Sequence, residues 1–162
     1  MNIAEDFNNL LIDTEANLLK NRKDKDLLIK ESFFLWYVQV EGINCESFEP
    51  DDIMRMLIRN VGLYREFYQD DPDYNFILGW MAGVAFWYFT PLIEEEDSIL
   101  LLNKAYRSNS KNSLFKWAIR SELGLSKNEV GNLKNDIILW YDQFYDHGEV
   151  IKSYFLDIVN AS

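Results

Sequence analysis

The chain has 162 residues, 48% hydrophobic and 15% aromatic, with a formal net charge of −11 and a sequence pI near 4.5. That length suits one folded domain, residues 1–162, whose core needs neither disulfides nor a structural metal, and the composition excludes disorder over most of it. The acidity makes duplex DNA and anionic membranes poor partners, so no nucleic-acid and no membrane partner is expected.

Only seven Gly and three Pro punctuate the chain, and no run alternates apolar and polar residues at period two. The fold class predicted is all-α: a single-domain antiparallel or orthogonal bundle of about eight helices around a buried central helix. The stretch MNIAEDFNNLL lacks the basic start of a signal peptide. Ile3 to about Asn21 reads as a first helix, with Phe7, Leu10, Leu11, Leu18 and Leu19 on one face. Asp24 or Asp26 then caps a second helix that carries Leu27, Leu28, Phe33, Trp36, Tyr37 and Val40 and ends at Gly42. Pro50, Asp51 and Asp52 open a third helix with Ile53, Leu57, Val61, Tyr64 and Tyr68 on its buried face.

Asp71 and Pro72 repeat that start signal for the central helix, about residues 73–89. It lies in the longest passage without a charge, Tyr74 to Ile93. Its apolar residues circle most of the cylinder, as in a helix enclosed by others, and Gly79, Ala82, Gly83 and Ala85 admit close neighbours. A membrane span is the competing reading, since about 20 apolar residues can cross a bilayer. Pro91 and the acids on both flanks, with no nearby Lys or Arg, argue against it.

Thr90 and Pro91 predict the start of a fifth helix with Glu94 to Asp97 in its first two turns. A sixth follows the SNSKNS turn, carrying Leu114, Trp117, Ala118 and Ser121 and closing at Gly124. Ser126 and Glu129 form an S-x-x-E capping box for a seventh. There Val130, Leu133, Ile137, Trp140 or Tyr141, and Phe144 recur at spacings of three and four. His147-Gly148 separates it from a last helix with Val150, Ile151, Tyr154, Phe155 and Ile158. No internal repeat is visible.

Chemistry is sparse. The one histidine, His147, adjoins Asp142 and Asp146, but helix spacing sets it on another side from Asp142, so exposed polar residues are expected there rather than a metal site. A lone Cys45 reads as a small buried or loop residue in a reducing, cytoplasmic compartment. Phosphate-cradling, hydrolase and zinc motifs are missing, and no metal, cofactor or catalytic residue is assigned.

Charge is the remaining signal. Between Glu41 and Asp97 there are 13 acids against three bases, whereas between Leu101 and Leu125 five bases face one acid. If the third and fourth helices form an antiparallel hairpin, Glu49, Asp51, Asp52, Glu94, Glu95, Glu96 and Asp97 share one end of the molecule, and Asp70, Asp71 and Asp73 the other. The expected function is non-catalytic binding of a basic protein partner by that seven-acid rim. A bacterial immunity or antitoxin protein facing a cationic toxin has this general character, with no residue motif in common. The alternatives are a helical adaptor or structural subunit using an aromatic surface, with homo-oligomers allowed, and an enzyme with a carboxylate and tyrosine pocket.

Overall fold

Most helices begin where the sequence supplies an oxygen to receive their first free N–H groups. The computed structural model describes residues 3–162, leaving Met1 and Asn2 of the N-terminal stretch outside. Among the described residues it contains eight α-helices, one 3₁₀ turn and no strand. Helix α1 spans Ile3–Lys20 and α2 Lys25–Val40. Helix α3 spans Pro50–Phe67, and α4 spans Pro72–Ala85 before a 3₁₀ turn over Phe86–Phe89. Then come α5 (Asp97–Ser108), α6 (Ser113–Ala118), α7 (Lys127–Phe144) and α8 (Glu149–Ala161).

Asp24 is the residue that caps α2, accepting from Leu27 N at 3.0 Å. Asp71 does the same for Tyr74 N at the start of α4. Asn112 receives two N–H groups of α6. The predicted capping box is present on α7: Ser126 N donates to Glu129 Oε2 at 2.8 Å, and Glu129 N donates back to Ser126 Oγ.

All eight helices contribute to one apolar core. Helix α4 is enclosed as expected, with Tyr74 to Gly79, Met81, Ala82 and Ala85 buried. It shares the centre with α2, where every residue from Glu31 to Trp36 is buried. Helices α1 and α2 run antiparallel, since Phe7 stacks on Tyr37 at 5.2 Å while Glu15, two turns on, shares an arginine with Glu31. Helix α4 lies antiparallel along α5. A Cβ on Gly79 would come within 3.0 Å of the Leu102 backbone nitrogen, and one on Gly83 within 2.7 Å of Ser98 Oγ. Ser98 Oγ donates to Gly79 O at 2.7 Å across the same contact. The small residues predicted to admit a neighbour therefore do so, and the neighbour is α5.

Several boundaries differ from the sequence expectation. The central helix stops at Ala85, whose backbone has left helical geometry (φ −156°, ψ 72°). The tighter turn beyond it carries Phe89 into the core and leaves Trp87 exposed; Val84 is exposed too. Helix α5 begins at Asp97 rather than near Pro91, so Glu94, Glu95 and Glu96 occupy the preceding turn and not the first helical turns. Asp97 holds that turn by accepting from Glu94 N at 2.9 Å. Helix α6 ends at Ala118, before Ser121. On α1, Leu19 faces solvent and Thr14 is buried in the apolar stripe, its hydroxyl donating to Leu10 O. At the end of α7, Tyr141 is the buried residue and Trp140 is exposed, because non-helical angles at Trp140 (φ −131°, ψ 28°) rotate the last turn. No helix among the described residues is long and apolar enough to cross a membrane.

Candidate binding groove

The seven acids assigned from sequence fall into two groups. Glu49 precedes α3 and its N–H donates to Asp52 Oδ2, while Asp52 also pairs with Arg55. Asp51 is exposed on the first turn of the same helix. Glu94, Glu95 and Glu96 are exposed and make no ion pair among the described residues; Asp97 is half-buried. The two groups lie apart, because the chain beyond α4 returns to the last turns of α3 rather than to its start. Arg65, near the end of α3, donates to Leu92 O, and Tyr64, Arg65, Ile93 and Asp97 line one 250 Å³ hollow. The Glu94–Asp97 turn thus sits by the last turns of α3, and 13 residues of helix from Asp52 to Arg65 rise about 20 Å. The three acids assigned to the other end are paired. Asp70 meets Lys104 at 2.7 Å, Asp71 meets Lys25 at 2.9 Å, and Asp73 meets His147 at 2.9 Å.

A different acidic surface is built by tertiary packing. Helices α1 and α8 stand on either side of α2 and leave a groove of 590 Å³ above it. Phe33 and Tyr37 of α2 form the floor. Ile3, Phe7 and Leu10 line the α1 wall at helical spacing, and Val150, Tyr154 and Ile158 line the α8 wall. The rings are fixed against one another: Phe33 stacks on Tyr37 at 5.5 Å, and Tyr154 meets both edge-on at 5.1 and 5.8 Å. Trp80 Nε1 donates to the Tyr154 hydroxyl at 3.0 Å and sets its rotamer. Such locking reduces the side-chain entropy lost when a ligand arrives.

Four exposed carboxylates, Asp6, Glu41, Glu149 and Asp157, surround this apolar floor, and among the described residues no Lys, Arg or His lines it. None of the four forms an ion pair among the described residues. Burial, followed by the charges of Glu41 and Asp157, raises the Tyr37 pKa. Burial also raises the Tyr154 pKa against the opposing effect of the Trp80 hydrogen bond. Both shifts disfavour the phenolate form. The groove presents apolar contact at its floor and negative charge at its rim.

Cys45 and His147 lie in the interior, apart from the groove lining. Cys45 is buried and burial raises its thiol pKa, so the thiolate is disfavoured. His147 is buried rather than exposed, and it lies away from any pairing with Asp142 or Asp146. Its Nδ1 faces Asp26 Oδ1 at 2.8 Å and its Nε2 faces Asp73 Oδ2 at 2.9 Å, tying the α7–α8 link to α2 and α4. Asp142 instead pairs with Lys152 at 2.9 Å. Among the described residues no group of three His, Cys, Asp or Glu side chains is arranged to hold a metal ion.

Sequence reasoning missed the groove because its acids are scattered at positions 6, 41, 149 and 157. The usable signal was amphipathic: Ile3, Asp6, Phe7 and Leu10 share one stripe of α1, and Val150, Tyr154, Asp157 and Ile158 one face of α8. No protein-family model matches the chain, and comparison with curated proteins and with solved structures finds no match.

Proposed function

We propose that this chain is a non-catalytic acidic binding protein whose partner is a basic protein, a relationship of the kind between a bacterial immunity or antitoxin protein and its cationic toxin. The observation that carries the reading is the aromatic groove rimmed by four carboxylates and, among the described residues, no basic side chain. Apolar contact supplies affinity there, and the net charge of −11 speeds encounter with a cationic partner. The Glu94–Glu96 turn adds to the long-range field without touching the groove. A cytoplasmic setting belongs to the same reading, on the strength of a single buried cysteine.

The test is association with the purified basic protein encoded beside its gene, followed by stopped-flow fluorescence at low and high salt. Neutralising Asp6, Glu41 and Asp157 to amides is expected to weaken the complex. Reversing Glu94, Glu95 and Glu96 to Lys is expected to slow association in a manner that fades with salt. Wild-type rates and affinities for both variants at low salt would remove acidic recognition altogether.

The second reading, a helical adaptor or structural subunit, is favoured by one observation. Ile138, Leu139 and Trp140 are exposed in succession on α7, Leu139 by 69%. A homo-oligomer that disperses in a Leu139→Lys variant during sedimentation equilibrium would support it.

A further inference from the structure

Resting on the proposed binding of a basic partner, we infer that the groove over α2 is a vacant helix position, filled by an amphipathic α-helix of the partner that carries Lys or Arg at one end. The groove is open between two helices that already flank α2, so a third helix laid there completes the layer. From Phe33 to Glu41 the floor runs eight residues of α2, about 12 Å or two helical turns. That length accepts apolar anchors at positions i, i+3 or i+4, and i+7 of an incoming helix.

An extended segment fits less well for a physical reason. Among the described residues there is no strand edge for it to pair with, and its N–H and C=O groups would lie against Phe7, Tyr37 and Tyr154 without partners. A buried polar group left in that state is costly, whereas a helix satisfies its own backbone.

The charge is polarised along the groove. Helix α8 runs parallel to α2, since Gly148 lies against Lys30 and Tyr154 against Phe33 and Tyr37. Asp157, one turn beyond Tyr154, is therefore level with Glu41. Asp6 adjoins Phe7, which stacks on Tyr37, so it belongs to the same end. Three carboxylates gather there, while Glu149 stands alone at the other end near Lys30. The helix docks with its basic residues at the three-acid end. A second copy of this chain is disfavoured as occupant by the repulsion of two net charges of −11.

The experiment uses the full chain, labelled with nitrogen-15, and synthetic peptides of about four helical turns. The first is a stapled helix with Leu at i, i+4 and i+7 and Lys at one end. The second replaces its Lys by Glu, and the third keeps the composition but is made non-helical by Pro. The inference expects the basic helix to bind, with amide shifts at Tyr37, Tyr154 and Ile158. It expects affinity to fall at least about tenfold in the Asp6→Asn, Glu41→Gln, Asp157→Asn variant and to hold in a Glu94→Gln, Glu95→Gln, Glu96→Gln variant. Equal binding of the Pro-containing peptide overturns the helical occupant and leaves acidic recognition standing. Shifts confined to the Glu94–Glu96 turn overturn the groove as the site, again without touching the broader reading. Concentration-dependent shifts with no peptide present assign the groove to self-association and overturn the inference. If neither the basic peptides nor the basic protein encoded nearby binds, both fall together.

Discussion

Arg59 Nη2 donates to Glu31 Oε1 at 2.6 Å inside the core, joining α3 to a carboxyl group that is fully buried on α2. The same guanidinium makes two bonds to Glu15 of α1, at 2.7 and 2.8 Å, and Asn60 Nδ2 donates to Glu31 Oε1 at 2.9 Å. One cation thus serves two carboxyls. The Arg59 hydrogen bonds hold Glu15 below its usual pKa, whereas burial and then the neighbouring Glu15 push Glu31 up to about 8.

The sign of the resulting pH dependence follows. A carboxyl whose pKa is raised by folding contributes stability that is complete below its unfolded value, about 4.5, and lost as pH rises through about 8. Within that window stability is expected to fall by up to about 1.4 kcal/mol per pH unit from this group. Chemical denaturation from pH 5 to 9 should show the slope in the wild type and a flatter profile in Glu31→Gln. Arg59→Ala removes the bonds to Glu15 and Glu31 and is expected to cost about 1.5 to 3 kcal/mol at neutral pH, where Glu31 is mostly protonated.

His147 supplies a second pH dependence of the same sign. Burial disfavours its charged form, but the hydrogen bonds and charges of Asp73 and Asp26 outweigh that and raise its pKa. Both ring nitrogens face carboxylates, and only the imidazolium can donate to both. Its contribution is complete below the unfolded value near 6.5 and lost as pH rises through the folded one. The imidazole proton resonance should titrate above 6.5, and His147→Gln should lose about 2 kcal/mol or more at pH 6.

Gly79→Ala tests the α4–α5 contact. The substitution favours a helix intrinsically by roughly 1 kcal/mol, but the new methyl group meets Leu102 Cγ at 2.9 Å and its backbone nitrogen at 3.0 Å. Backbone cannot yield as a side chain can, so a net loss of about 1 to 3 kcal/mol is expected in urea melts. Gly62→Ala, which meets nothing within 4 Å, should leave stability unchanged or raise it.

Two tryptophans separate core from surface. Trp117 is fully buried, stacked on Trp80 at 5.6 Å with the Arg120 guanidinium 4.2 Å from its ring. Its replacement by Ala should cost about 3 to 5 kcal/mol. Trp140, 54% exposed, should cost no more than about 0.5 to 1 kcal/mol. Similar melting temperatures for the two variants would contradict the packing described.

Local chemistry made the helices readable from sequence. Asp24, Asp71 and Ser126 with Glu129 mark helix starts because a free N–H needs an acceptor within three residues. The enclosed character of α4 shows in a run of residues without charge. These signals are short-range and survive in one dimension. The extra turn before α5, the burial of His147 and the two-carboxyl site of Arg59 depend instead on which helices become neighbours. The sequence groups Glu49 to Asp52 with Glu94 to Asp97 only through an assumed path of the chain, whereas the fold sets the Glu94–Asp97 turn by the last turns of α3. The groove is the fullest case. Asp6, Glu41 and Asp157 are separated by 35 and 116 residues in the chain, and only the packing of Phe7 and Tyr154 against Tyr37 brings them to one end of an open apolar floor.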